Sequence, residues 1–322
     1  MAQHRPGQRL HHLGVRIRRP WPHQNPVVQR HAGTLPSAFV RYGISVPNFG
    51  DPAHLVELGH ATERAGWDGF FLWDHVLVDA DHPFPIDDPW VVLGAVAQTT
   101  ERVRLGTLVT PVARRRPWKL ARETVTLDHL SGGRAVLGVG LGEPPDAEFG
   151  AFGEPTDGRV RAELLDEGLE VLFGLWSGER FSFKGRHLTV DGATFLPTPL
   201  QSPRIPVWVA VVWPNRGPLR RAARCDGMAP IRLGPRGVEP VTPDDVREML
   251  AVVREQRETD APFDVAVWVV SDTTAGAADY EAVGVTWLIE SASGAPGWLD
   301  DIRGVIDAGP GRPGRPPAGP SR

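Results

Sequence analysis

The sequence predicts an α/β protein folded as a closed (β/α)8 TIM barrel with an insertion after strand 4. Three observations carry this prediction. The runs GFFLWDH (69–75), RVRLGTLVTP (102–111) and RAVLGVGLGE (134–143) are apolar nearly throughout, as parallel strands buried on both faces require. Each run breaks into polar or glycine residues and gives way to helical text. Such units recur eight times over about 270 residues, close to the ~250 of a closed barrel, whereas an open doubly wound sheet more often has roughly five or six strands.

At the start of the ordered pattern, RYGISV (41–46) is a short apolar strand. Asp51 then caps a helix over 52–65 with Pro52 at its first position, a favoured pairing. Ala53, Val56, Leu58, Ala61 and Ala65 form its apolar face, and Gly66 ends it. GFFLW is strand two and 89–100 its crossover helix. RVRLGTLV is strand three, followed by a helix over 117–130 that stops at Ser131-Gly132-Gly133, and AVLGVG is strand four. After a helix over 157–176, FSFKGRHLTVDGATFLP reads as an inserted β-hairpin. Strands resume at 205–211, 225–231, 263–270 and 285–290, with helices near 216–224, 242–258, 274–283 and 296–307.

Composition bounds the function. The 322 residues are 41% hydrophobic and 23% charged, a globular balance. A lone cysteine, Cys225, excludes an internal disulfide and suits a reducing cytoplasm. No run approaches the ~20 apolar residues of a membrane span. Residues 1–50 hold seven arginines and no acid, so with a total of −4 the remainder carries −11. An acidic body argues against nucleic acid as a partner. Residues 1–38 are rich in His, Arg and Pro without strand or helix period, and a disordered basic extension is expected there. A disordered tail is expected over 310–322, leaving 39–309 as the barrel domain.

The chemistry of a barrel gathers at the carboxyl ends of its strands. Strand two delivers Trp73-Asp74-His75 to that edge. Histidine titrates near neutrality and serves as acid, base or hydrogen-bond partner. Adjacent residues on an extended chain face opposite ways, so Asp74 is not a relay partner for His75. Gly106-Thr107-Leu108-Val109-Thr110-Pro111 reads, by itself, as a plain strand-to-loop exit or as a bulge that brings backbone close to a flat ligand. GVGLGE lacks the last glycine of the dinucleotide fingerprint, and reads instead as a glycine-rich strand end delivering Glu143. RRRPWK (114–119) reads as a charged loop and helix start. No HExxH, CxxC or GxSxG is present, so neither a metal site nor a covalent hydrolase is indicated.

Four strings, ATERAGWDGFFLWDH, TERVRLGTLVTP, RRPWKLARETVTLDHLSGGR and LGVGLGE, together resemble the luciferase-like flavin monooxygenase superfamily, in particular its branch using the deazaflavin coenzyme F420. The resemblance runs from about Phe39 to Gly309. It implies a bacterial luciferase-like barrel with a planar tricyclic cofactor across its mouth. By that resemblance His75 and Glu143 are the catalytic pair, Asp74 contacts the cofactor ring or ribityl side, and Leu108-Val109 is a strand-three bulge with a non-prolyl cis peptide behind the ring. Thr110 meets the hydroxyl tail, and Gly140, Leu141 and Gly142 pass beneath the ring. Relatives often carry a phosphate-binding glycine pair after strand five. Here Ala210-Val211-Val212-Trp213 stands in that position, with Asn215 and Arg216 able to substitute for its contacts.

The function implied is an oxidoreductase passing hydride between coenzyme F420 and a small organic substrate, as a cytoplasmic homodimer, with a reductase as a possible supplier of reduced cofactor. The alternatives are an FMN-dependent two-component monooxygenase and a barrel that binds a cofactor without turnover. Trp73-Asp74-His75 resembles the deazaflavin branch, where many FMN members carry a Ser-Glu-His-type sequence.

Overall fold

A computed structural model describes residues 40–235, 237–269 and 274–311. The expected extension over 1–38, the end of the tail and the last residue of the strand expected over 263–270 lie outside the described residues.

In chain order the elements are β1 (Arg41–Val46), α1 (Pro52–Arg64), β2 (Gly69–Leu72), α2 (Pro89–Thr99), β3 (Arg104–Pro111), α3 (Pro117–Ser131), β4 (Ala135–Gly140), α4 (Pro145–Glu148), α5 (Gly158–Trp176), β5 (Phe181–Lys184), β6 (Thr189–Ala193), β7 (Val207–Trp213), α6 (Gly217–Ala223), β8 (Gly227–Gly234), β9 (Gly237–Glu239), α7 (Pro243–Gln256), β10 (Asp264–Val269), α8 (Ala277–Glu281), β11 (Trp287–Ser291) and α9 (Trp298–Ala308). Strands β1, β2, β3, β4, β7, β8, β10 and β11 pair in that order, all parallel, and the β11–β1 ladder closes the ring. This is the expected (β/α)8 barrel. The antiparallel β5–β6 hairpin is the expected insertion. Strand β9, which turns back antiparallel on β8 between Gly234 and Gly237, has no counterpart in the sequence expectation, because three residues carry too little pattern to register.

The continuous apolar runs have a plain cause, since each barrel strand buries both faces. Phe71, Leu108, Val136, Trp208, Ala229, Ala266, Trp287 and Ile289 fill the barrel interior. Three of these rings form a mutual cluster, with Trp208 and Trp287 centroids 5.4 Å apart and Phe71 within 5.9 Å of both. Alternate residues such as Leu105, Leu137, Val207 and Val209 pack outward against the helices. At Gly106 a Cβ would lie 1.8 Å from the Val136 carbonyl oxygen, so only glycine lets β3 approach β4 this closely.

The expected Asp51 cap is present, and two further caps join it. Asp51 accepts from the Ala53 amide at the start of α1, Asp88 does the same for Trp90 and Val91 of α2, and Thr242 forms a capping box with Asp245 of α7. The buried face of α1 differs from expectation: Leu55, Leu58, Gly59 and Thr62 are covered, while Ala53 is exposed. Packing at Gly59, which Val96 fills, and the Thr62 hydroxyl's bond to the Leu58 carbonyl (2.7 Å) make two weakly apolar residues good buried ones.

Glu290 stands out in this outer layer. Trp287 and Ile289 fill the interior, so Glu290 faces outward, between Ile44 of β1 and Val269 of β10 in register. Burial raises its carboxyl pKa. The folded chain therefore holds this proton more tightly than the unfolded chain. The resulting stability is full below the unfolded carboxylate pKa and is lost as pH rises through the folded value. Glu290→Gln is expected to raise the melting temperature at neutral pH and to lose that advantage in acid. Thermal melts across pH check it, and an unchanged difference between acid and neutral pH would count against it.

Candidate active site

The barrel mouth is built from the segments that leave β2, β3 and β4 at their carboxyl ends. Beyond Leu72, the Trp73 amide still donates to the Val46 carbonyl at 2.9 Å before the chain leaves the sheet through Asp74 and His75. Asp74 is buried, and both its oxygens are taken. Thr110 Oγ1 donates to Oδ2 at 2.7 Å, and Arg115 donates to Oδ2 from Nε (2.8 Å) and to Oδ1 from Nη2 (2.6 Å). Arg114 Nη2 adds a third cationic contact at 3.1 Å. RRRPWK is thus more than a charged loop: Arg114 and Arg115 turn inward onto the chain's own carboxylates. Burial works against the Arg115 charge, but Asp74, with Glu123 and Asp88 behind it, outweighs that and lifts its pKa above the ordinary value.

Thr110 also hydrogen-bonds Thr107 Oγ1 at 2.8 Å. Between these two threonines the β3–β4 register shifts, and the Leu108–Val109 peptide is cis. The bulge sends two consecutive side chains, Leu108 and Val109, toward the interior. The structure therefore joins Asp74 and Thr110 directly, and the bond between them ties the end of β2 to the bulge.

His75 is held on every side. Its amide donates to Asn48 Oδ1 (3.2 Å), and its carbonyl accepts from Asn48 Nδ2 (2.9 Å). Its ring packs against Phe49 and Trp73, each with centroids 5.8 Å away. Nδ1 lies 2.8 Å from Oε1 of Glu148, a carboxylate with no exposed side-chain surface, while 23% of the His75 side chain remains exposed. Adjacency in sequence gave His75 no carboxylate partner. The fold supplies one from α4, 73 residues further on.

At the end of β4, Gly140 lies against Val109 and Ala210: a Cβ there would be 2.6 Å from Val109 Cγ2 and 3.4 Å from the Ala210 Cβ. These three residues form a small, smooth apolar surface. Gly142 has a φ of +84°, and a side chain there would meet Pro111 and Phe149. The buried Arg161 reaches the Leu141 and Gly142 carbonyls and lies 5.1 Å over the Phe149 ring. Glu143 is on the rim, 72% exposed, with Arg161 Nη2 at 3.5 Å.

The β7 end separates the remaining expected residues. Ala210 joins the Val109–Gly140 surface, whereas Val211 is buried in the outer core with the helices. Trp213 also turns outward, donating its indole N–H to Asp245 of α7 at 2.9 Å, so its bulk stays out of the mouth. Asn215 is exposed, its amide donating to the Val212 carbonyl. Cys225 is buried, which pushes its thiol up to about 12 and leaves it no nucleophilic role.

Sequence reasoning missed Glu148, Arg114, Arg115 and Arg161 as site residues. The run Pro144-Pro145-Asp146-Ala147-Glu148 carries a helix-start signal, with proline and acids in the first turn, that could have marked α4. Nothing local shows that Glu148 faces His75.

The mouth of this barrel thus combines a bulged strand three, a smooth apolar surface and a carboxylate-held histidine. Residues 22–312 match the model of the luciferase-like monooxygenase family, and the chain belongs to that family. Among curated proteins it is similar to an F420-dependent glucose-6-phosphate dehydrogenase of Nakamurella multipartita, 35% identical over 56% of this chain and 52% of the relative. The enzyme of the same name from Microbacterium testaceum is 36% identical over 56% and 53%. The chain thus spans about half the length of the curated relatives it matches. Among solved structures, the F420-dependent tetrahydromethanopterin reductase of Methanopyrus kandleri superposes with a TM-score of 0.65 at 17% identity, covering 84% of this chain and 98% of that one. An F420-dependent secondary alcohol dehydrogenase superposes at 0.66 with 17% identity, over 83% and 98%. At such identities these two structures speak for the fold.

Proposed function

We propose that the protein is an oxidoreductase that moves hydride between coenzyme F420 and a small organic substrate. The observation that carries this is the mouth itself: the Asp74–Thr110 bond ties the segment that carries His75 to a bulge whose Val109 adjoins Gly140 and Ala210. A flat ring needs a smooth apolar backing and an acid–base group at its edge, and these residues fit both needs. Bound there, the deazaflavin supplies the hydride chemistry. Val109, Gly140 and Ala210 back the ring, and Leu141 and Gly142 border it. Asp74 and Thr110 act on it through the bulge they hold, and Asn215 stands near the tail. His75 takes or returns the substrate proton at its free ring nitrogen, and Glu143 exchanges a proton at the rim.

The curated relatives' F420 dependence supports the same reading. A homodimer, a cytoplasmic location and a separate reductase supplying reduced cofactor belong with it. The test is a titration of purified protein with deazaflavin and, in parallel, with FMN, followed by fluorescence. Saturable deazaflavin quenching is expected.

A further inference from the structure

We infer that Glu148 is the positioning residue for His75, holding its ring in the Nδ1–H tautomer so that Nε2 is the nitrogen that meets the substrate. The catalytic part of this role rests on the proposed deazaflavin chemistry. The tautomer itself is set by the geometry.

Glu148 is fully buried, and two donors and a cation face its carboxylate. His75 Nδ1 lies 2.8 Å from Oε1, the Val76 amide 3.2 Å from Oε1, and Arg114 Nε forms an ion pair with Oε2 at 3.1 Å. A carboxylate only accepts, so the nitrogen facing it carries the hydrogen. That puts a hydrogen on Nδ1 and, in the neutral ring, makes Nε2 the acceptor, with no partner among the described residues. When Nε2 takes a proton from a substrate hydroxyl, the resulting imidazolium sits against the Glu148 charge.

The support behind Glu148 is rigid. It ends the single turn of α4, and the next residue, Phe149, is wholly buried against Gly142 under the Arg161 guanidinium. Arg114 bridges from Glu148 to Asp74, so the device is joined to the strand-three bulge. A plain structural ion pair would need only Arg114 and Val76. A histidine with nearly a quarter of its side chain exposed, caged by Phe49 and Trp73 and aimed at the same oxygen, exceeds that need.

The experiment uses the full chain labelled with 15N-histidine, with His75→Ala assigning the signals. Wild type is expected to show His75 as the Nδ1–H tautomer. In Glu148→Gln a single amide oxygen faces Arg114 and Val76, which turns the amide NH2 toward Nδ1 and drives His75 to Nε2–H. With cofactor and substrate, kcat is expected to fall about ten- to hundredfold with KM nearly unchanged, the range seen when the carboxylate partner of a metal-ligating histidine is removed. An Nε2–H tautomer in wild type, an unaltered tautomer in Glu148→Gln, or a changed tautomer with undiminished kcat each overturns the inference. Because the tautomer is read without cofactor, a failure of F420 binding leaves this test standing and is recognised separately.

Discussion

Asp74→Ala is expected to be among the most destabilising single substitutions in the chain. The carboxylate it removes is wholly buried and offsets Arg114 and Arg115, whose side chains are only 11% and 15% exposed. Breaking a buried pair from one side leaves uncompensated charge, at a cost of about 3–5 kcal/mol. For a domain of this size each kcal/mol moves the melting temperature by about 2–4 °C, so a fall of roughly 10 °C is expected. Arg115 keeps Asp88 at 3.7 Å and Glu123 at 3.5 Å, and Arg114 keeps Glu148, which hold the loss within that range. The loss of Thr110's acceptor frees the bulge as well, so deazaflavin affinity should fall with stability. A melting temperature within about 2 °C of wild type, less than one such increment, would show that the arginines find other partners.

His75→Ala should do the opposite. The histidine side chain is partly exposed and its backbone bonds to Asn48 survive the substitution, so the fold should tolerate it. Turnover should fall by about 10²–10⁴-fold, the usual worth of a positioned acid–base group. Deazaflavin affinity should change little, since the proposed seat of the ring is Val109, Gly140 and Ala210. Steady-state kinetics beside a binding titration separates the two quantities. Loss of binding without a further loss of kcat would make His75 a cofactor ligand and move the proton chemistry elsewhere.

The barrel was legible because its strands are buried twice over: runs such as 69–72, 135–140 and 205–211 are apolar regardless of side-chain parity, while 225–231, with Asp226 and Pro230, shows this less, and Asp51-Pro52 and Gly132 punctuate the helices. The bulge was legible only through the family resemblance, since glycine and two threonines at the end of an apolar strand fit a plain strand-to-loop exit as well. The electrostatics of the mouth were not. Arg114 and Arg115 read as solvated cations, because the sequence does not say that Asp74 and Glu148 lie beneath them. Glu148 is 73 residues from His75, and only the short turn after the Glu143-Pro144-Pro145 run brings them together. Trp213 reads as a bulky replacement near the phosphate-binding glycine pair of relatives when only its place in the chain is known. Its bond to Asp245 shows that bulk on an outward-facing strand position has no bearing on the mouth.

The central claim is that this mouth takes a deazaflavin. Titrating the wild-type chain with oxidised coenzyme F420 and with FMN, side by side under the same conditions, tests it most directly. Saturable quenching by F420 at one site per chain, with FMN binding much more weakly, is the expected outcome. Tight FMN binding with no response to F420 would contradict it and place the protein with the oxygen-activating members of its family.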